Sequence, residues 1–301
     1  MSVVVTQLFN GISLGSILIL IAIGLAVTFG LMNIINMAHG ELIMAGAYTT
    51  YVVQQLFLSY LPASLFSYYF LIAIIMAFAV AAFIGIVIEK VIVRRLYDRP
   101  LDSLLATWGV SSLILQQAAR SIFGAPNVAV KSPEWLTGGV TLFSVTFPYK
   151  RLFILALVLF TLALLGYYLF KTSAGRRMQA VTLNRSMASC LGVSVRKTDT
   201  LAFALGSGLA GIAGSSLTLL GSIGPTLGSS YLVDAFMIVI LGGIGKLKGT
   251  IIGAVTVGLL STFVEYSTSA TIAKVVVFAF IILFLQWRPS GLASVRTRLL
   301  D

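Results

Sequence analysis

The chain reads as an all-α polytopic membrane protein of about eight to ten transmembrane helices, some broken or half-length, built as one domain over residues 1–301. Three observations predict this. Hydrophobic residues make up 58% of the chain and charged residues 10%, against about 45–50% and about 25% in ordinary soluble domains. Several uninterrupted apolar runs reach the roughly 20 residues that a helix needs to cross the hydrocarbon core, which excludes the weak alternation of an outer-membrane barrel. Lys and Arg gather in the gaps between those runs.

Apolar periodicity and breaker residues place helices near 8–31, 38–58, 68–93, 101–122, 149–170, 199–221, 230–245, 249–266 and 271–287. The first charged side chain is Glu41, so the start lacks the basic region of a cleavable signal peptide and is read as the first spanning segment. Assigned to alternate sides, the gaps at 90–99, 171–198, 246–248 and 288–298 carry most of the Lys and Arg and face the cytoplasm. Arg120, Lys131, Lys150, Arg151 and Lys274 fall outside, which sets the N-terminus out and the C-terminus in. The net charge of +11 is thereby a topology signal facing lipid and water, and nucleic acid is set aside as a partner.

The longest polar interval, 171–198, holds Lys171, Arg176, Arg177, Arg185, Arg196 and Lys197. Ala180, Val181, Met187, Ala188 and Leu191 recur at helical spacing, Asn184 suits an N-cap between two short pieces, and Gly192 suits a C-terminal stop. One or two short amphipathic helices under the membrane follow, as an orienting loop or as a docking element for a cytoplasmic partner.

The spans differ in character. Residues 72–88 and 152–170 are apolar all round and read as lipid-facing supports. Segments 101–122, 199–221 and 230–258 together carry many glycines and polar side chains, and the small residues let helices approach closely in lipid. Pro126 and Pro225 break helices, and the segment from Ser230 reads by length as a half-helix, a form tolerated at membrane depth only against protein or a water-filled cavity.

Ionisable groups within spans are costly and therefore mark candidate sites. His39 and Glu41, with Asn33, Asn36 and Gly40, interrupt the chain between the first two spans; the carboxylate could gate a pathway, bind a polar solute or cap the second helix. His39 alone has no ligand partners and suits a hydrogen-bonded packing role. Asp234 begins a short helix after the Pro225 break much as Glu41 begins one after its own, which hints at two related halves. Thr107, Trp108, Ser111, Ser112, Gln116 and Gln117 form the most polar membrane face; they either line a path for a small uncharged solute or act as interhelical glue. Glu265 falls at the outer end of its helix.

No catalytic constellation is present: one His and one Cys leave no metal cluster, and no Ser lies in a nucleophile elbow. Cys190 reads as a small packing residue. LGGIGKLKG at 241–249 looks like a phosphate-binding loop, but G-x-x-x-x-G-K-[ST] fails, with Ile240 at the first glycine position and Leu247 at the hydroxyl position. No nucleotide cofactor is expected on this chain.

Three stretches, LFNGISLGSILILIAIGLAVTFGLMNIINMAHGELIMAGAY, GRRMQAVTLNRSMASCLGV and FMIVILGGIGKLKGTIIGA, resemble the permeases of branched-chain amino acid type ABC importers, over nearly the whole chain and in order. LDSLLATWGVSSLILQQAARSIFGAPNVAV, followed by PEWL, looks more like the urea-transporting branch. The resemblance implies a multi-pass subunit of the bacterial plasma membrane that pairs with a second permease, two cytoplasmic ATPases and an extracytoplasmic solute-binding protein. It implies ATPase contacts at Gly175, Arg176, Arg177, Ala180, Asn184, Ala188, Leu191 and Gly192, and the polar residues of the spans place the expected substrate path past His39, Glu41, Thr107, Trp108, Ser112, Gln116 and Asp234. Asn184 departs from the family pattern, in which an acid is common there, so no particular ATPase salt bridge is assigned. Urea is the expected solute, a branched-chain amino acid the alternative; an ion-coupled transporter would instead use Glu41 and Asp234 as coupling sites.

Overall fold

A computed structural model describes residues 2–32, 36–60, 62–97, 99–142, 145–289 and 291–293. Every predicted span is helical: α1 (Ser2–Met32), α2 (His39–Tyr60), α3 (Tyr69–Val91), α4 (Pro100–Gly109) running through a π-turn (Val110–Leu115) into α5 (Gln116–Phe123), and α6 (Tyr149–Lys171). Two short helices follow, α7 (Ser173–Leu183) and α8 (Arg185–Cys190), then α9 (Val195–Leu217), α10 (Leu227–Gly242), α11 (Leu247–Ser267) and α12 (Ala270–Trp287). Among the described residues, six helices are long and apolar enough to cross a bilayer: α1, α3, α6, α9, α11 and α12. At 16 residues, α10 spans about 24 Å, short of the roughly 30 Å hydrocarbon core, as its sequence foretold.

The centre of the bundle is α1 against α9, ringed by α2, α3, α10 and α11. Ile17 through Val27 of α1 are buried on every side. Lipid offers no hydrophobic drive for helix association, so close backbone approach has to supply the cohesion. Accordingly, a methyl on Gly24 would stand 2.6 Å from the Gly206 carbonyl oxygen, and one on Gly206 would stand 2.5 Å from that of Gly24. The 72–88 segment is more than a lipid-facing support. Its small residues Ala73, Ala77, Ala81 and Gly85 form a buried stripe along α3, where Ala77, Ala81 and Gly85 meet Gly211 and Ser207 of α9, while Leu71, Ile75 and Phe83 face outward. Hydrophobicity alone cannot separate those two surfaces.

The basic turns collect at one end, which the positive-inside rule makes cytoplasmic. There α1 ends, α10 turns into α11 beside Lys246 and Lys248, and α6 hands the chain to α7. At the other end the described residues of the 124–148 segment are tied to the bundle. Its strands β1 (Gly139–Leu142) and β2 (Val145–Pro148) pair antiparallel, Val128 bridges to Ile223, Lys131 N–H donates to Gln54 Oε1 at 2.8 Å, and Trp135 Nε1 donates to the Ser67 carbonyl at 2.7 Å.

Two halves of opposite direction are now visible. α1 runs inward, the chain breaks, and α2 restarts outward; α9 runs outward, the chain breaks around Pro225, and α10 restarts inward. The two restarts touch: a methyl on Gly40 would lie 2.7 Å from the Gly228 carbonyl oxygen, and one on Gly228 only 1.8 Å from that of Gly40. Close backbone approach at the Gly24–Gly206 and Gly40–Gly228 crossings holds these two helix–break–helix units together. α10 begins at Leu227, so Asp234 lies about two turns into its helix, not in the first turn as Glu41 does in α2.

Candidate transport path and coupling elements

The restart of α2 lies deep in the bundle, because His39 Nε2 reaches the Ile21 carbonyl at 3.0 Å, near the middle of α1. A carbonyl only accepts, so the proton is on Nε2. His39 is fully buried and braces α2 to α1 beside the Gly24–Gly206 crossing. Asn36 Oδ1 accepts from the Ala38 N–H at 3.0 Å and Thr107 Oγ1 from the Met37 N–H at 3.3 Å, which satisfies donors ahead of the helix. Glu41 is buried in the first turn, where the helix dipole favours a carboxylate, and its Oε1 accepts from Gln116 Nε2 at 2.8 Å.

Thr107 and Gln116 meet the same junction because of the π-turn between them. In an uninterrupted α-helix nine residues correspond to about 180°, which would set these side chains on opposite faces. The extra residue of a π-turn sets the following residues back by about 100° and brings Gln116 round to Glu41.

The polar face expected at 107–117 is therefore split. Thr107 and Gln116 turn to the junction, whereas Trp108 is 57% exposed and Gln117 is exposed on the periphery. Asn33 and the side chains of Ser111 and Ser112 lie outside the described residues, as do Arg296 and Arg298.

Asp234 stands apart from this junction. It pairs with Lys274 of α12 at 3.6 Å, and Lys274 Nζ donates to the Ser230 carbonyl at 3.3 Å. Both border a cavity between α1, α10, α11 and α12 on the outer side. Arg151, whose guanidinium donates to Asn10 Oδ1, borders a neighbouring one. Glu265 is exposed and lines both.

At the cytoplasmic end the caps form as expected. Thr172 Oγ1 accepts from the Gly175 N–H at 3.1 Å, and Asn184 Oδ1 from the Met187 N–H at 2.9 Å. Gly192, at φ +81°, closes α8 with two bonds, Gly192 N–H to Ser189 O and Val193 N–H to Ala188 O, both 3.0 Å, in a Schellman turn.

Gly175, Met178, Val181 and Ala188 face inward and Ala180 is half-buried. Gly175 packs so closely on α6 that a methyl would lie 2.4 Å from the Tyr168 and Leu169 carbonyl oxygens. Arg176, Arg177, Asn184, Leu191 and Gly192 are exposed. So are Leu183 and Met187, at 87% and 59%, giving the two helices an apolar outer surface flanked by cations. Cys190 is also exposed rather than packed, since α8 is a single layer and turns Ala188 inward instead.

What the sequence left unread is how these helices are tied to the core. Glu89 on α3, fully buried, accepts from Arg94 Nε at 3.1 Å and Nη2 at 2.8 Å, and from Thr200 Oγ1 of α9 at 2.9 Å. Arg185 of α8 donates to Asp199 Oδ2 of α9 at 2.5 Å and stacks over the Tyr97 ring at 4.7 Å. Burial, with the Asp199 charge adding to it, pushes the Tyr97 phenol well above its ordinary value. A buried carboxylate is tolerated only when its oxygens are matched, and bidentate Arg is the strongest such match. An ion pair thus joins α8 to α9. The signal was present as acids standing next to basic gaps, Glu89 before 90–99 and Asp199 after 171–198, but their partners lie up to 111 residues away.

A family model described as branched-chain amino acid transport system / permease component matches residues 7–285. The high-affinity branched-chain amino acid transport system permease protein LivH of Salmonella typhimurium is 31% identical over 294 residues, covering 95% of this chain and 94% of its own. The corresponding protein BraD of Pseudomonas aeruginosa is 28% identical over 291 residues, with the same coverage. The ribose import permease protein RbsC of Bacillus subtilis is 33% identical over 127 residues, 40% of this chain and 39% of its own. No solved structure matches. With six spanning helices, these permease relatives make this a multi-pass inner-membrane protein, and they favour the branched-chain amino acid reading over urea.

Proposed function

This chain belongs to the family of permease components of branched-chain amino acid transport systems, and on that premise we propose that it is a transmembrane subunit of an ATP-driven importer that carries branched-chain amino acids inward by alternating access. The observation that carries the reading is the match over residues 7–285, which takes in both broken-helix units and the α7–α8 loop. Urea falls behind because the uncharged polar face that argued for it is divided between a buried junction and the periphery.

The power source is a pair of partner ATPases, since the 241–249 segment lacks the residues of a phosphate-binding loop. They dock on Leu183, Met187 and Leu191 with Arg176 and Arg177 alongside, and a second, homologous permease completes the conduit. A solute-binding protein delivers the amino acid at the outer face. ATP binding then displaces α7 and α8, the Arg185–Asp199 pair passes the displacement to α9, and the two halves rock about the glycine crossings. A cleft of about 540 Å³ between α7 and the inner ends of α1 and α6 leaves room for that movement.

Proteoliposomes containing this chain, its partner permease and the ATPases should accumulate leucine only with ATP and binding protein. Accumulation by the chain alone, driven by an ion gradient, would refute the proposal in favour of a secondary transporter. Arg176→Glu with Arg177→Glu should abolish uptake without lowering expression; normal uptake by that double variant would remove the docking role from these cations.

A further inference from the structure

Two cavities open on the outer side of the bundle. One, of about 360 Å³, lies between α1, α10, α11 and α12; the other, of about 340 Å³, lies at the outer ends of α1, α6 and α11. Leu14 and Glu265 line both, so the two adjoin, and each lies in the size range of small-molecule pockets.

The inner of the two has a divided wall. Leu14, Leu18, Val257 and Val277 make one side apolar, and Asp234 and Lys274 supply one charge of each sign on the other. The carboxylate and ammonium form an ion pair at 3.6 Å, with the Asp234 side chain 18% exposed and that of Lys274 53%. A carboxylate kept largely out of water has to be matched, and the half-exposed ammonium leaves both charges within reach of a solute in the cleft. The outer cavity repeats both signs with Arg151 and Glu265.

A neutral solute has no use for separated charges, and a simple acid or amine would satisfy only one of them. An α-amino acid with an aliphatic side chain answers all three surfaces. We propose that the cleft is a recognition subsite for such an amino acid. Asp234 receives its ammonium group, Lys274 its carboxylate, and the apolar wall its branched side chain. The inference rests on the branched-chain amino acid reading and places substrate discrimination within this chain as well as in a binding protein.

The test is equilibrium binding of radiolabelled leucine to the full-length chain in lipid nanodiscs, with 4-methylpentanoate and isopentylamine as competitors lacking one charge each. Each analogue should compete about 10- to 100-fold more weakly than leucine, the factor expected for one lost charged hydrogen bond. Asp234→Asn should weaken leucine by a similar factor and erase the disadvantage of 4-methylpentanoate; Lys274→Gln should do the same for isopentylamine.

A purely structural ion pair would move all three compounds together. Should either charge variant fail to fold, Ser261→Phe, which fills the cleft without touching the pair, should block leucine binding in a monodisperse protein. Absence of saturable leucine binding, equal competition by the analogues against the unmodified chain, or unaltered binding by Ser261→Phe would overturn the inference. Uptake of leucine by the complete transporter despite such results would leave the function standing and the subsite refuted. Uptake of urea without leucine would refute the function itself.

Discussion

The restarts of α2 and α10 touch at Gly40 and Gly228, yet they are furnished differently. The α2 restart is closed: His39 is bonded to α1, Glu41 to Gln116, and the Met37 N–H to Thr107. The α10 helix borders an open cleft, with the Asp234–Lys274 ion pair and hydroxyls along it. One backbone plan thus serves two ends, a locked pivot and an open recess. The asymmetry comes from the added α4–α5 helix, whose π-turn delivers Gln116 to the first half only. The two ends share close backbone approach, enforced by glycine, but not the same chemistry.

The largest expected effect is on the shared pivot. Gly228→Val would drive a side chain into the Gly40 carbonyl, 1.8 Å from the first added carbon, and should abolish the folded, monodisperse protein on size-exclusion chromatography. Gly221→Val, where nothing lies within 4 Å, should elute as the unmodified chain does. Equal behaviour of the two would mean that the halves do not meet at these glycines.

A smaller effect separates pivot from drive. Arg185→Ala leaves both glycine crossings intact but cuts the link from α8 to Asp199. Uptake by the complete transporter should fall by roughly 5- to 150-fold, the span of typical coupling energies, while ATP hydrolysis continues. Uptake and hydrolysis falling in proportion would instead mark Arg185 as a docking residue.

The smallest change tests the lock. Gln116→Leu removes the donor to Glu41 and should lower stability by about 1 kcal/mol, the scale of interhelical hydrogen bonds in membranes, read as a modest fall in thermal midpoint with leucine selection unaltered. A shift in solute preference would move Gln116 from the lock into the substrate path.

Much of the fold is legible in the sequence because lipid imposes simple rules. Run lengths locate each span to within a few residues, basic gaps give the sidedness, and Asn184 and Gly192 mark the ends of the cytoplasmic helices through local capping that needs no tertiary context. The half-length of α10 is visible in the position of Gly242. The sites are less legible. Whether the 107–117 residues share a face depends on a π-turn, which leaves no mark in apolar periodicity, so Trp108 was grouped with Gln116 although it lies outside. The tie between Glu89 and Thr200 joins residues 111 positions apart, and the Asp234–Lys274 pair needs α10 and α12 to be neighbours. Spacing along the chain specifies none of those adjacencies.

The driven end of the molecule offers its own reporter, because Cys190 is the single cysteine of the sequence and lies exposed on α8. A membrane-impermeant maleimide should label it in inside-out vesicles and not in right-side-out ones, and addition of the partner ATPases should protect it. Labelling from the outside, or undiminished labelling with the ATPases bound and turning over, would contradict a coupling loop that takes its motion from a cytoplasmic motor.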